Sequence, residues 1–379
     1  MAALPEEIIT RILSFVPAKS VGRFRSVSKG WLSLLTHPDF IKSHQNALNK
    51  FQLIFFTTKS NNNYPALYSN SYNEPILKPS DFELDFKLGE FNYVQDLIIC
   101  GSCNGLVLVW AKNIDFADIL VLLNPTTKES MELPEFCDDY LDDYEDLELD
   151  SMHGLGSDGS GDFKVVSVFS LHGFFALSPG PMFVHIYSLK TNTWRQLTDS
   201  VDDYSCILSK REGVFLNGFI HWIVTKFVNG IGRTVILAFS LADEKFSDMK
   251  VPEGVQSIDI MSLDYCHLDV AVLGGKLALF NEMLGEIWMM NEYRIEESWT
   301  KILLNGFHEI PMVTPYRRNK PMVFHHDGKF MVANSDRMMV YDDEKKTFDE
   351  TVCVWDRENF EVYGSYVESL VSIASCIEQ

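Results

Sequence analysis

Five glycine-bearing segments recur along this chain at nearly constant spacing, and no other feature constrains the fold as tightly. They are Asn104-Gly105-Leu106-Val107-Leu108-Val109-Trp110, Ser160-Gly161-Asp162-Phe163-Lys164-Val165-Val166, Asn217-Gly218-Phe219-Ile220-His221-Trp222, Gly274-Gly275-Lys276-Leu277-Ala278-Leu279-Phe280 and Asp327-Gly328-Lys329-Phe330-Met331-Val332. The glycines at 105, 161, 218, 275 and 328 lie 56, 57, 57 and 53 residues apart. One period before Gly105 falls near Asn49, just ahead of Phe51-Gln52-Leu53-Ile54-Phe55-Phe56. Six units therefore use up the chain after its first 48 residues.

Each unit has room for about four short strands, which is the period of a propeller blade. The second half of the unit repeats as well. An apolar strand runs into a polar turn and then an aromatic or apolar residue: Ile186-Tyr187-Ser188-Leu189 then Trp194, Leu237-Ala238-Phe239-Ser240-Leu241 then Phe246, Ile287-Trp288-Met289 then Trp299, Met339-Val340-Tyr341 then Phe348, and Leu122-Leu123-Asn124-Pro125 then Met131. The stretch Phe360 to Ile373 is apolar and strand-like. It is expected to pair with the first unit, because an open propeller would leave an unpaired sheet edge. The fold class is thus mainly β with a small α head: a helical segment over 1–48 and a β-propeller of about six blades over 49–379, with an acidic insertion at 135–160.

Residues 1–50 obey a different grammar. Pro5 suits a first helical position, and Glu6 and Glu7 suit the positive end of the helix dipole. Ile8, Ile9, Ile12, Leu13 and Val16 then succeed one another at helical spacing until Pro17. Ser20 is placed to cap a second helix with Val21, Phe24, Val27, Trp31, Leu34 and Leu35 along it. Pro38 opens a short third one with Phe40 and Ile41 inward. Three short helices in about 40 residues sit near the lower limit for independent stability, so a partner is expected to cover leftover apolar surface.

Charge divides the chain at the same place. The first 50 residues hold seven Lys/Arg against three acids, and the remaining residues hold 25 against 50, for a net charge of −21. A phosphate-backbone binder needs a basic footprint, so nucleic acid and anionic membrane are not expected partners. With 46% hydrophobic residues the chain can bury large cores and is not disordered as a whole. No apolar run approaches the ~18 residues of a membrane span. The seven cysteines are odd in number and irregular in spacing, and no basic-then-apolar leader precedes Pro5. Reduced thiols, and a cytoplasmic and/or nuclear location, are the expectation.

The run Leu4-Pro5-Glu6-Glu7-Ile8-Ile9, then Ile12-Leu13, Val16-Pro17-Ala18-Lys19-Ser20, Arg23-Phe24-Arg25-Ser26-Val27-Ser28-Lys29 and Trp31 resembles the F-box motif, in its plant form. Gly22 departs from it, standing where the family usually has a large apolar residue. The later units resemble the F-box-associated interaction domain of plant F-box proteins, often labelled kelch-like. The likeness rests on Cys103-Asn104-Gly105-Leu106, Asn124-Pro125-Thr126-Thr127, Ile287-Trp288-Met289-Met290, Ser298-Trp299-Thr300-Lys301 and Tyr366-Val367-Glu368-Ser369-Leu370. The double glycines of kelch repeats are mostly absent; only Gly274-Gly275 qualifies.

This resemblance implies a non-catalytic substrate-recognition subunit of an SCF-type E3 ubiquitin ligase. The head would dock on a Skp-type adaptor and, through it, a cullin. Leu4, Pro5, Ile8, Ile12, Leu13, Pro17, Val27 and Trp31 are carried over by motif position as the adaptor contacts. The propeller would hold a protein target, and a basic one suits the acidic body. The propeller region also resembles that of S-locus F-box proteins, which recognise basic ribonucleases in self-incompatibility, and this is an alternative role. A propeller enzyme and a scaffold that binds without degradation are further alternatives.

Other constellations point to structure more than chemistry. Nine acids between Glu135 and Asp150 form the densest charge run. Asp138, Asp139, Asp142, Asp143, Glu145 and Asp146 are its candidate contacts for a basic target, against the reading of a solvated insertion. The alternate acids and Gly turn of a calcium loop are missing. Cys100 and Cys103 form a lone CxxC with no second pair for zinc. His325 and His326 are adjacent in a strand-like run and so point to opposite faces. No GxSxG, P-loop or HExxH pattern occurs, and no cofactor or metal is expected.

Overall fold

The structure, a computed structural model, describes residues 5–48, 51–57, 66–70, 83–84, 94–113, 118–135, 148–172, 182–197, 204–205, 212–229, 231–255, 268–307, 322–326, 329–333, 337–348, 353–354 and 361–377. It divides into two compact units, one of residues 1–133 with 362–379 and the other of residues 134–361.

The first unit opens with four helices, not the expected three: α1 (Glu6–Leu13), α2 (Ala18–Phe24), α3 (Lys29–Thr36) and α4 (Pro38–Leu48). The expected second helix breaks because Ser28 is extended and its hydroxyl accepts the Trp31 amide at 3.2 Å, capping a new helix. Ser20 is not a cap, since α2 already begins at Ala18 behind Pro17. Leu13, Ala18, Val21, Leu35 and Phe40 form the head's core, joined by Leu370 from far along the chain.

Among the described residues this unit also holds two antiparallel sheets. One places Glu361–Val367 beside Phe51–Thr57, then Ala66–Asn70 and Glu83–Leu84. The expected pairing of the last strand with the first unit is therefore present. That strand is shorter than expected: an irregular segment comes after Val367, then α5 (Ile373–Cys376). The other sheet is the meander Val94–Cys103, Leu106–Asn113, Asp118–Asn124 and Glu129–Glu132. Ile54, Leu97, Ile99, Val107, Val109 and Tyr366 meet in one core.

The second unit holds the later repeats. Strands Leu268–Leu273, Lys276–Asn281, Glu286–Met290 and Trp299–Leu303 make one four-stranded meander. Met322–His326, Lys329–Ala333, Arg337–Asp342 and Thr347–Phe348 make another, with Cys353–Val354 beside the third of these strands. The two units before them are not separate sheets. Glu212–Leu216 runs parallel to Glu148–Ser157 and fuses them into nine strands. At that seam Gly213 faces Gly154. A Cβ on either would lie under 3 Å from the Trp222 ring, which is fully buried and donates its indole N–H to His153 O at 3.1 Å. Two glycines thus leave space for one tryptophan. Glu148–Ser157 also corrects the acidic insertion, whose second half is strand.

The repeat itself is a hairpin requirement. Asn104-Gly105, Asn217-Gly218 and Gly274-Gly275 all have positive φ at both positions, the turn whose twist matches the flanking strands. Gly161 is also left-handed, in a longer turn, and Gly328 lies outside the described residues. The second repeated element is a cross-strand pair: Leu122 with Met131, Tyr187 with Trp194, Phe239 with Phe246, Met290 with Trp299 and Tyr341 with Phe348 face one another directly. Ring centroids in the three Phe/Tyr/Trp pairs with a tight turn are 5.2, 4.8 and 5.1 Å apart.

Candidate functional site

Helix α1 is apolar on two faces. Ile9 and Leu13, with Val16 just past the helix, turn into the head, whereas Ile8 and Ile12, with Phe15 in the turn that follows, are spaced at i, i+4 and i+7 on the outside. Their exposures are 46%, 54% and 63%. Val27, in the turn before α3, is 62% exposed, and Leu32 on α3 is 46% exposed. Five large apolar side chains open to water on so small a helical unit are a feature of surfaces that await a partner.

The rest of the head holds this stripe in place. The imidazole of His44 on α4 is buried and lies 2.8 Å from Val16 O at the end of α1. A carbonyl only accepts, so Nε2 carries the proton. Burial pushes the His44 pKa below its ordinary value and the charge of Arg25 adds to this, so the ring stays neutral. Ser28 fixes the start of α3, and Trp31 packs edge-on against Phe24 at 5.6 Å. Arg25 is half-buried and donates to Leu35 O at 3.3 Å and Leu370 O at 2.7 Å. Burial lowers its pKa, and the carboxylate of Glu129 works in the opposite direction.

Of the residues singled out in the sequence, Pro5, Ile8, Ile12, Pro17 and Val27 are exposed on the head. Leu13 is not, because it fills the head's own core at 4% exposure, and Trp31 is half-buried against Phe24. Leu4 lies outside the described residues, as do Asp138, Asp139, Asp142, Asp143, Glu145 and Asp146. Phe15 and Leu32 were not singled out. The signal for Phe15 was its i+7 spacing from Ile8, which separates the outer stripe from the inner one.

The second unit has polar groups, from the buried His221 to the exposed Arg195, that tie strands together. His221 is fully buried; its Nδ1 lies 3.1 Å from Val214 O and its Nε2 2.8 Å from Tyr293 Oη. The carbonyl must accept, so Nδ1 donates and Nε2 accepts from the phenol. Burial lowers the His221 pKa to about 4 and raises that of Tyr293 to about 12. Lys164 pairs with Asp158 at 3.0 Å and Glu244 at 3.5 Å, and Arg195 also pairs with Glu244. Burial acts to raise the Asp158 pKa, but hydrogen bonds from Ser160 and Lys164 outweigh it and hold the carboxyl at about 2. These groups satisfy one another and leave no pair poised for proton transfer. Cys100 and Cys103 are buried on Val94–Cys103 and in no disulfide, and His325 and His326 end the strand Met322–His326. Among the described residues no three His, Cys, Asp or Glu side chains converge as a metal site, and no helix is long and apolar enough to cross a membrane.

Two families match this sequence: the F-box domain over residues 1–43 and the F-box associated beta propeller domain over residues 82–373. Among curated relatives, the F-box protein CPR1 of Arabidopsis thaliana is 28% identical, over 91% of this chain and 83% of its own length. The F-box/kelch-repeat protein At3g23880 of the same plant is 25% identical over 83% of this chain and 81% of its own length. Among solved structures, TolB from Acinetobacter baumannii aligns at a TM-score of 0.37 and 10% identity, covering 86% of this chain and 70% of that one. A lectin of Aleuria aurantia aligns at 0.39 and 7%, covering 85% and 94%. At these scores neither carries an argument.

Proposed function

We propose a role that starts from kinship: the chain belongs to the F-box associated beta propeller family of plant F-box proteins and carries an F-box at its head. In this reading it is the substrate-recognition subunit of an SCF-type ubiquitin ligase. The head, residues 1–48, docks on a Skp-type adaptor and through it a cullin. The blades of 49–379 hold a protein target. The chain brings the target close and other subunits carry out transfer, so its contribution is proximity and not chemistry.

The observation that carries this reading is the outer stripe of α1. Ile8 and Ile12 of the helix, and Phe15 in the turn that follows it, stand in water although the helix also turns Ile9 and Leu13 into the head's core. Covering the roughly half of each that stays exposed is worth about 1 kcal/mol apiece before the costs of association. A groove on an adaptor is the natural cover for a helix of this pattern. The acidic body favours a basic target and a reduced, cytoplasmic or nuclear setting suits the thiols.

Reconstitution tests the role. Wild-type chain with a Skp-type adaptor, cullin and ubiquitin-transfer enzymes should co-purify and promote ubiquitination of a partner retained by the blades. Complex formation without transfer would favour a scaffold. Absence of a complex with every adaptor tried would remove the ligase reading.

A further inference from the structure

Three motifs that are far apart in the sequence meet in the first unit. Arg25 of the head donates to Leu370 O at 2.7 Å. Asn124, fully buried at the end of Asp118–Asn124, donates from Nδ2 to Ser369 O at 3.2 Å and Val371 O at 2.6 Å. Its Oδ1 accepts the amides of Thr126 and Thr127, closing the turn. Thr126 Oγ1 accepts the Ser369 amide at 3.2 Å, and Glu129 Oε2 accepts the Ile373 amide at 2.6 Å. Gln52 donates to Glu368 at 3.0 Å. Gly105 permits the approach, since a Cβ there would sit 2.1 Å from Ser369 Cβ.

The segment 368–373 is therefore seated in a fitted site. Ser369 is fully buried and Leu370 is 1% exposed. Leu370 does not join the sheet core. It enters the head, against Leu13, Val21, Leu35 and Phe40. The head's helices run to 8, 7, 8 and 11 residues, each below the ~12–15 residues at which an isolated helix becomes even marginal. Such helices depend on tertiary packing, and one of the side chains they pack on belongs to this segment.

We infer that residues 368–373 are a latch that makes the head's fold conditional on the closing strand: the partner-facing stripe of α1 is presented in order only once Leu370 has been laid into the head. Arg25 acts as a positioning residue, holding the latch backbone and Leu35 O together. The chain thereby reports, at the head, that its last strand is paired with its first.

Hydrogen exchange on the full chain tests this, compared with Leu370→Ala, Leu370→Met and a variant shortened to end at Val367. The shortened variant keeps Glu361–Val367 and loses only residues 368–379. Head amides such as Val21 and Arg25, which bond to Pro17 O and Val21 O, should lose protection by roughly tenfold or more in Leu370→Ala and in the shortened variant. Leu370→Met should restore most of it, and amides around Trp222 in the second unit should not change. Head protection equal to wild type in both damaged variants would overturn the latch. Adaptor titrations form a second arm that rests on the ligase reading: affinity should fall in step with protection. Unchanged affinity despite lost protection would overturn the presentation claim. A wild type that binds no adaptor would sink the ligase reading and leave the exchange arm to decide the latch.

Discussion

Helix α1 in the head and the strand Phe219–Val228 in the second unit are similar in length, eight and ten residues, and both are rich in large apolar side chains. They treat those side chains differently. In the strand, Ile220, Trp222, Ile223 and Val224 are all buried, because paired strands lie on both edges and packed side chains cover both faces. In the helix only Leu13 is fully buried, while Ile8 and Ile12 remain open. A strand between packed neighbours has both its backbone and its side chains satisfied within the fold. A few short helices can cover one face of α1 and not two. Exposed apolar side chains occur in the second unit too, as at Val228 at the end of this strand, but on the head Ile8, Ile12, Phe15, Val27 and Leu32 are exposed among a few short helices, and that is where a partner is expected.

The comparison can be broken first from the blade side. Trp222→Ala should destabilise the second unit by about 3–5 kcal/mol, read as a shift in its denaturant midpoint, and should leave adaptor binding by the head unchanged. Equal loss of both would mean that head and blades are not energetically distinct.

Acid should weaken the blades next. The folded His221 pKa of about 4 lies below the ordinary 6.5, so between these values the unfolded chain binds the extra proton. Its stabilising contribution is complete above pH 6.5 and falls away toward pH 4, by about 3 kcal/mol at most. Asp158, depressed to about 2, adds a further loss below its ordinary 3.8. Urea unfolding at about pH 7.5, 6 and 5 should show the first decline, and a flat profile would contradict a neutral buried His221. The smallest effect belongs to the head. Gly22 is exposed on α2 and an added Cβ would meet nothing within 4 Å, so Gly22→Ala should stabilise the head by about 1 kcal/mol. Hydrogen exchange of α2 would show it as slower opening, with adaptor affinity no weaker.

These contrasts also mark what the sequence can say. The 57-residue period was legible because Asn104-Gly105, Asn217-Gly218 and Gly274-Gly275 occupy turns that demand positive φ, and the cross-strand pairs were legible because an aromatic or, at Met131, an apolar residue recurs after the polar turn. Lys128, Glu244 and Lys346 also adopt positive φ in the second turn of their units, but as ordinary polar residues they carry no such mark. The break in the head at Ser28 was hidden because Val21, Phe24, Val27 and Trp31 keep one helical spacing across it. The two faces of α1 and the turn after it were readable from spacing once 8, 12 and 15 are separated from 9, 13 and 16. The place of Leu370 in the head was not readable, because contacts 345 residues apart, like that between Arg25 and Leu370, leave no local pattern.

Calorimetric titration of a Skp-type adaptor into the full chain, wild type against Ile12→Asp/Phe15→Asp, tests the central claim most directly. Both changed residues already face water, so the folded chain should tolerate them, while two unpaired charges in a desolvated contact should cost several kcal/mol, about a hundredfold or more in affinity. Tight wild-type binding, with the variant folded and at least that much weaker, is the predicted result. Equal binding by the two proteins would contradict the account, because the outer stripe of α1 would then not be the surface that the adaptor covers.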